Sequence, residues 1–215
     1  MTQEEPVLTR DRVITEAMRL FGEQGYSATT IAQIEAAAGL SPGSGSLYKH
    51  FRSKAAVLAE GVARLIDAGA QLRALFETQQ ESADLDRTPL RDRVALLARA
   101  GLHRLEDQRD FNRILVRDLQ KFPELLDRAR DDEISGNQQG LRSWLSRQSE
   151  ATPNEPVRDW GAVAAVIMDA LAHYWLLQDV FGGDHPSGVS EQRYLNALID
   201  LTTALLEQQA VADSS

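Results

Sequence analysis

The sequence predicts an all-α protein of about nine helices, with an N-terminal three-helix unit containing a helix-turn-helix and a larger helical domain after it. Three observations lead there. Apolar residues recur at spacings of three and four along most of the chain. Ser, Thr and Pro at helix starts and Gly at helix ends punctuate those runs, while the strict alternation expected of strands is nearly absent. Finally, residues 36–59 contain no Asp or Glu, although the 215-residue chain holds 32. Lys49, His50, Arg52 and Lys54 all fall in that window.

Val13, Ala17, Leu20 and Phe21 share one helical face, so residues 9–23 form a first helix, ended by Gly25. Thr29 or Thr30 caps a second helix running to residue 38, and Gly39 closes it. A short third helix is expected over residues 44–51. Ser53 caps a longer fourth, with Val57, Leu58, Val62, Leu65 and Ile66 as its apolar positions. Residues 77–87 are polar and read as a loop or a frayed helix end. Thr88-Pro89 supplies a cap and first turn for a helix bearing Leu90, Val94, Leu97, Leu102 and Leu105. Another short helix covers residues 111–119 and stops near Phe122-Pro123. One long helical pattern then spans residues 123–148, weakened at Gly136 and Gly140 by about 1 kcal/mol each relative to Ala. After a loop at residues 151–156, strong helices are expected at 157–181 and 189–209, separated by the turn-rich GGDHPSG.

Composition excludes several classes. With no cysteine, disulfides and thiolate metal sites are unavailable. Residues 1–10 are polar and do not read as a signal peptide. The nearly apolar run 160–177 is interrupted by Asp169 and His173, and reads as a buried helix rather than a membrane span. No membrane partner is therefore expected, and the bacterial-type cytoplasm is the expected location. The net charge of −9 argues superficially against a nucleic-acid partner. Its distribution weakens that objection: residues 1–60 hold six Lys/Arg against seven Asp/Glu, whereas the rest of the chain holds 17 against 25. Local charge governs, and a basic patch on a helix-turn-helix points to DNA.

In such a motif the second helix enters the major groove while the first braces it. Leu47 and Phe51 stand four apart, so one face of the third helix packs inward and Ser44, Ser46, Tyr48, Lys49 and His50 are left for DNA. Thr30 starts a helix, where its hydroxyl and nearby amides can hold a phosphate, and Lys54 holds the corresponding place on the fourth helix. Arg52 can reach a phosphate or pair with an acid such as Glu60.

The run FGEQGYSATTIAQIEAAAGLS followed by GSLYKHFRSK resembles the N-terminal domain of the TetR family of transcriptional repressors. Phe21, Gly25, Thr29-Thr30, Ile31, Ala38-Gly39, Leu47-Tyr48, Phe51 and Ser53-Lys54 fall in the family's order, across residues 13–58. The rest of the chain fits only by helix count and length. Family members commonly place about five residues between the turn glycine and the Leu-Tyr pair; here seven, LSPGSGS, separate Gly39 from Leu47. Two extra helical residues would rotate the far end by roughly 200°, so the insertion is expected in a lengthened turn. The alternative is a distorted first turn of the third helix, with Ser41-Pro42 as cap and first position. Gly45 joins the expected DNA-facing set with Ser44.

The resemblance implies a DNA-binding domain over residues 1–55 and an effector-binding and dimerisation domain over residues 56–215. It implies a homodimer whose last two helices form a four-helix interface; Ala164, Ala165, Ile167, Leu171, Leu195, Leu198, Leu201 and Leu205 recur there at helical spacing, as they also would in an ordinary core. It implies a double-stranded operator and a small, largely apolar effector. His103, Phe111, Trp144, Met168, His173, Tyr174 and Gln178 mix bulk with polar tips and are the candidate effector contacts, although aromatic residues at such spacing also build cores. No cofactor or metal is expected. The four histidines form no i,i+4 pair, and HExxH and GxxxxGK are both missing. Asp169 and His173, four apart, suit an internal pair better than catalysis. The competing expectation is an all-α carrier or enzyme that keeps the helix-turn-helix as scaffold.

Overall fold

The computed structural model describes the backbone of residues 4–80, 88–149 and 158–211, and the side chains of residues 9–70, 88–149 and 158–207. Among these residues there are nine α-helices and no strand: α1 (Glu4–Gln24), α2 (Ile31–Ala37), α3 (Lys54–Gln80), α4 (Leu90–Asp107), α5 (Arg109–Arg117), α6 (Pro123–Arg128), α7 (Ser135–Ser149), α8 (Trp160–Val180) and α9 (Glu191–Val211). Short 3-10 segments lie at Ser46–Lys49 and Leu119–Lys121. The chain divides into two compact units, Met1–Gln71 with Gln108–Glu133, and Leu72–Asp107 with Ile134–Ser215.

The first unit is built on α1. Val13, Ala17 and Phe21 are buried with Ile34 and Ala38, with Leu47 and Phe51, and with Val57, Leu58 and Val62 of α3. Phe111 and Ile114 of α5 and Leu119 complete this core. α1 crosses α5 at Gly22, where an added Cβ would stand 2.6 Å from the Cα of Asp110. Only a residue without a side chain lets two backbones approach that closely.

The second unit packs α8 on α7 and α4, and α9 on α4. Its core joins Val94, Ala98 and Leu102 to Trp144 and Leu145, to Trp160, Ala164, Leu171, Tyr174 and Trp175, and to Leu195, Ile199 and Leu206. Asp159 caps α8, accepting the Ala162 N–H at 3.0 Å. α8 has the length and composition of a membrane-crossing helix; in this fold it is a member of the second unit.

Three elements differ from the expected pattern. The long run over 123–148 is divided by a π-helical segment, Ala129–Ile134, that buries Ala129 and Glu133. The extra residue per turn rotates the following helix relative to the preceding one, where one continuous helix is expected from the sequence. α3 continues to Gln80, into the stretch expected to be loop or fraying. The third helix shrinks to the four residues Ser46–Lys49.

Candidate nucleic-acid interface

Thr30 caps α2 in a reciprocal box. Its hydroxyl oxygen accepts the Gln33 N–H at 3.2 Å, and the Gln33 side-chain oxygen accepts the Thr30 N–H at 2.7 Å. The Thr30 hydroxyl also donates to that oxygen at 2.9 Å. The residue is exposed, as a DNA contact would require, yet its polar groups already serve the cap. Thr29, by contrast, is buried and donates its hydroxyl to the Gly25 carbonyl at 2.8 Å.

The insertion after Gly39 is absorbed in the turn. Gly39, Gly43 and Gly45 all have positive φ, between 73° and 74°. Ser44 N–H donates to Ser41 O at 3.2 Å across Pro42-Gly43, and Pro followed by a positive-φ Gly is the type II arrangement. Pro42 therefore opens a turn rather than a helix. The Ser44 and Ser46 hydroxyls meet at 2.7 Å, and a helical turn begins only at Ser46.

Within that turn Leu47 is fully buried and Phe51 nearly so, while Tyr48 is 55% exposed and Lys49 is exposed beside it. Ser44 is also exposed, and Gly45, Ser46 and His50 are half-buried. The structure thus brings Ser44, Gly45, Ser46, Tyr48, Lys49 and His50 onto one short surface segment. Arg52 is exposed nearby and does not take Glu60, which Arg10 and Arg64 hold. The hydrogen bond from Arg10 outweighs burial and, with Arg64, holds the Glu60 carboxyl below its usual range.

Lys54 has a more internal setting than its position in the sequence implies. Its ammonium donates to the carbonyls of Tyr26 and Thr29, each at 2.7 Å, and lies 4.3 Å from the Tyr26 ring centroid. Burial lowers its pKa against the opposing pull of Asp118. Two of its three N–H groups therefore join the α1–α2 loop to the start of α3.

Several residues that shape this surface carry no short-range signal in the sequence. Arg10 donates to the His50 carbonyl at 2.5 Å, pairs with Glu60 and stacks 4.3 Å over the Phe51 ring, fixing the end of the exposed segment to α1 and α3. Asp118 is buried and accepts the Tyr26 N–H at 3.1 Å, Arg117 at 3.0 Å and Lys121 at 2.9 Å. Burial pushes its carboxyl up, but Lys121, the Tyr26 N–H and Arg117 together hold it below the usual range. Arg117 also reaches the carbonyls of Phe21 and Gly22 at the end of α1. Glu35, fully buried, lies under the turn itself.

The candidate effector contacts are dispersed. His103 is 73% exposed on α4, facing Glu106 and Asp107. Phe111 belongs to the first unit's core, whereas Trp144 and Tyr174 belong to the second's. His173 is exposed; Met168 and Gln178 are half-buried. Polar tips expected to converge on a ligand serve the backbone instead. Tyr174 Oη donates to Val189 O at 3.3 Å, and Gln178 reaches Gly183 O at 3.5 Å. Tyr174 further stacks on His185 at 4.9 Å and Tyr194 at 4.2 Å, closing the α8–α9 connection.

Of the candidate dimer residues, Ala164, Leu171 and Leu195 are buried inside the second unit. Ala165, Leu198 and Leu205 are half-buried, and Leu201 is 71% exposed. Ala162, Val166, Asp169 and His173 form an uncovered stripe on α8, extended by Val180 and Phe181; Ala197, Leu201 and Ala204 form one on α9.

Residues 13–60 match the family model of bacterial regulatory proteins of the tetR family. The HTH-type transcriptional repressor KstR2 of Mycolicibacterium smegmatis is 34% identical over 89 residues, 41% of this chain and 40% of that protein. The chain thus aligns with about two fifths of that relative's length. Over nearly full lengths the likeness is one of fold. A Mesorhizobium loti structure described as a TetR-family transcriptional regulator superposes with a TM-score of 0.69 at 18% identity, covering 95% of this chain and 98% of that one. Reduced NemR of Escherichia coli superposes with a TM-score of 0.65 at 19% identity, covering 91% and 96%.

Proposed function

We propose, from the match of residues 13–60 to the tetR family model, that the chain is a ligand-responsive transcriptional regulator of that family rather than an enzyme. Its simplest form is a homodimeric repressor that leaves a palindromic operator when a small, largely apolar effector binds. The observation supporting DNA binding is the exposed Tyr48-Lys49 pair, anchored by buried Leu47 and Phe51 within an acid-free stretch. Ser46, Lys49 and His50, with Ser44 and Gly45 at the turn, approach bases. Thr30, Tyr48, the exposed Arg52 and the remaining N–H of Lys54 approach phosphates.

Dimerisation is assigned to the uncovered stripes of α8 and α9. Exposed Val166, Val180, Phe181 and Leu201 there make an apolar surface that a second copy would cover. The effector is assigned to the second unit. The chain passes between the two units after Gln71, Asp107 and Glu133, the first passage lying within α3, so effector binding can bias the helix-turn-helix through continuous backbone. A full switch from 1:99 to 99:1 requires about 5.5 kcal/mol of differential affinity.

The test is a binding titration against duplexes flanking the protein's own gene. Lys49→Ala should weaken specific binding by about 1–3 kcal/mol, whereas loss of a phosphate contact at Arg52 should weaken all sequences and reduce the salt slope by about 1. No saturable binding by the unaltered chain would instead favour the carrier.

A further inference from the structure

Between Glu23 and Glu60 the chain has a single acid, Glu35, and it is fully buried on α2 beneath the lengthened turn. Its three acceptors all receive backbone N–H groups from that turn. The Glu35 carbonyl accepts Leu40 N–H at 2.8 Å, Oε2 accepts Gly43 N–H at 2.7 Å, and Oε1 accepts Leu47 N–H at 3.0 Å. The two carboxylate oxygens therefore bracket Ser44, Gly45 and Ser46. At one end they hold the glycine of the type II turn, and at the other the buried residue that anchors the helical segment. Hydrogen bonds to an ionised acceptor are the stronger kind, and a buried carboxylate demands them. Gly43 and Gly45 give the same segment wide backbone freedom, so something other than local preference must fix it.

We propose that Glu35 is a positioning residue for DNA recognition: its buried carboxylate fixes the lengthened turn, and through it the aim of Ser46, Tyr48 and Lys49, without touching DNA. This rests on the DNA-binding reading above. The carboxylate acts as a rigid brace that adds to the few backbone bonds, Tyr48 to Gly45 and His50 and Phe51 to Leu47, that the short reading segment makes itself.

The test uses the full-length chain, its Glu35→Gln and Glu35→Asp variants, a duplex enriched by the unaltered chain from a random pool, and a non-enriched duplex of equal length. Glu35→Gln keeps the volume but offers one oxygen and turns an amide N–H toward a backbone N–H. It should weaken the enriched duplex about tenfold or more while leaving the non-enriched duplex within about twofold. Hydrogen exchange at Gly43 and Leu47 should quicken in the same variant. A folded Glu35→Gln chain that holds the enriched duplex within about twofold of the original, or loses both duplexes equally, overturns the inference. Should Glu35→Gln melt below the assay temperature, Glu35→Asp, one methylene shorter and able to reach only one of the two amides, is judged by the same criteria. If the unaltered chain enriches no duplex, the DNA-binding reading falls and this inference with it; an enriched duplex held equally well by the variant defeats this inference alone.

Discussion

Gly43 has a φ of +73°, and a Cβ there would meet nothing within 4 Å. Substitution strains only the backbone. Gly43→Ala should cost about 1–2 kcal/mol of left-handed conformation, read as a lower thermal midpoint together with weaker operator binding. An unchanged midpoint would show that the turn has another conformation of equal energy. The outward aim of Tyr48 and Lys49 was legible in the sequence, because Leu47 and Phe51 lie four apart and both are apolar. Glu35, Arg10 and Asp118 were not. Arg10 meets a carbonyl 40 positions away and Asp118 an amide 92 positions away, and a charged residue that bonds to backbone leaves no complementary residue type to look for. Lys54 illustrates the same limit: its place in the motif was readable, but the two carbonyls that occupy it were not.

Among the elements, the α1–α5 crossing carries the sharpest steric demand. At Gly22 a Cβ would overlap the Asp110 Cα as well as its side chain, so the clash cannot be relieved by moving the side chain alone. Gly22→Ala should force the helices apart and cost about 1–3 kcal/mol, measurable by urea unfolding. The α1–α2 loop is tied to the end of α5 through Asp118, with a defined acid dependence. Its carboxyl lies below the usual value in the folded chain. The stability it contributes is therefore present above about pH 4, the unfolded value, and is lost as pH falls through the folded value. Asp118→Asn should flatten that part of an acid-unfolding curve; an unaltered acid limb would show that the loop is held by other contacts. Helix existence was readable from apolar spacing and caps, and the turn from its surplus length. The π-helical segment at Ala129–Ile134 was not, because its interior, Arg130 to Glu133, carries no apolar residue to mark the turn it follows. The short 3-10 segment was hidden for a different reason: it is held by the Glu35 carboxylate as well as by its own backbone bonds.

For the molecule as a whole, the distribution of covered and uncovered faces matters most. α8 is apolar nearly all round, with Leu171 buried and Val166 67% exposed. Periodicity therefore could not tell which side faced the core, and several residues expected at a dimer interface proved to be internal. Leu201, 71% exposed on α9, is the position at which the proposed dimer surface can be tested apart from the core. Leu201→Glu should leave the fold intact and shift sedimentation equilibrium toward monomer at micromolar concentration; a variant that sediments as the unaltered chain does would place the dimer surface elsewhere. The proposed dimer would set the geometry of DNA reading, since two helix-turn-helix units would span half-sites a fixed distance apart. Selection of bound duplexes from a random pool by the full-length chain tests the central claim most directly. The expected result is an enriched inverted repeat with half-site centres about 34–36 Å apart, or a multiple of that spacing. A pool that stays unenriched after repeated rounds would contradict it.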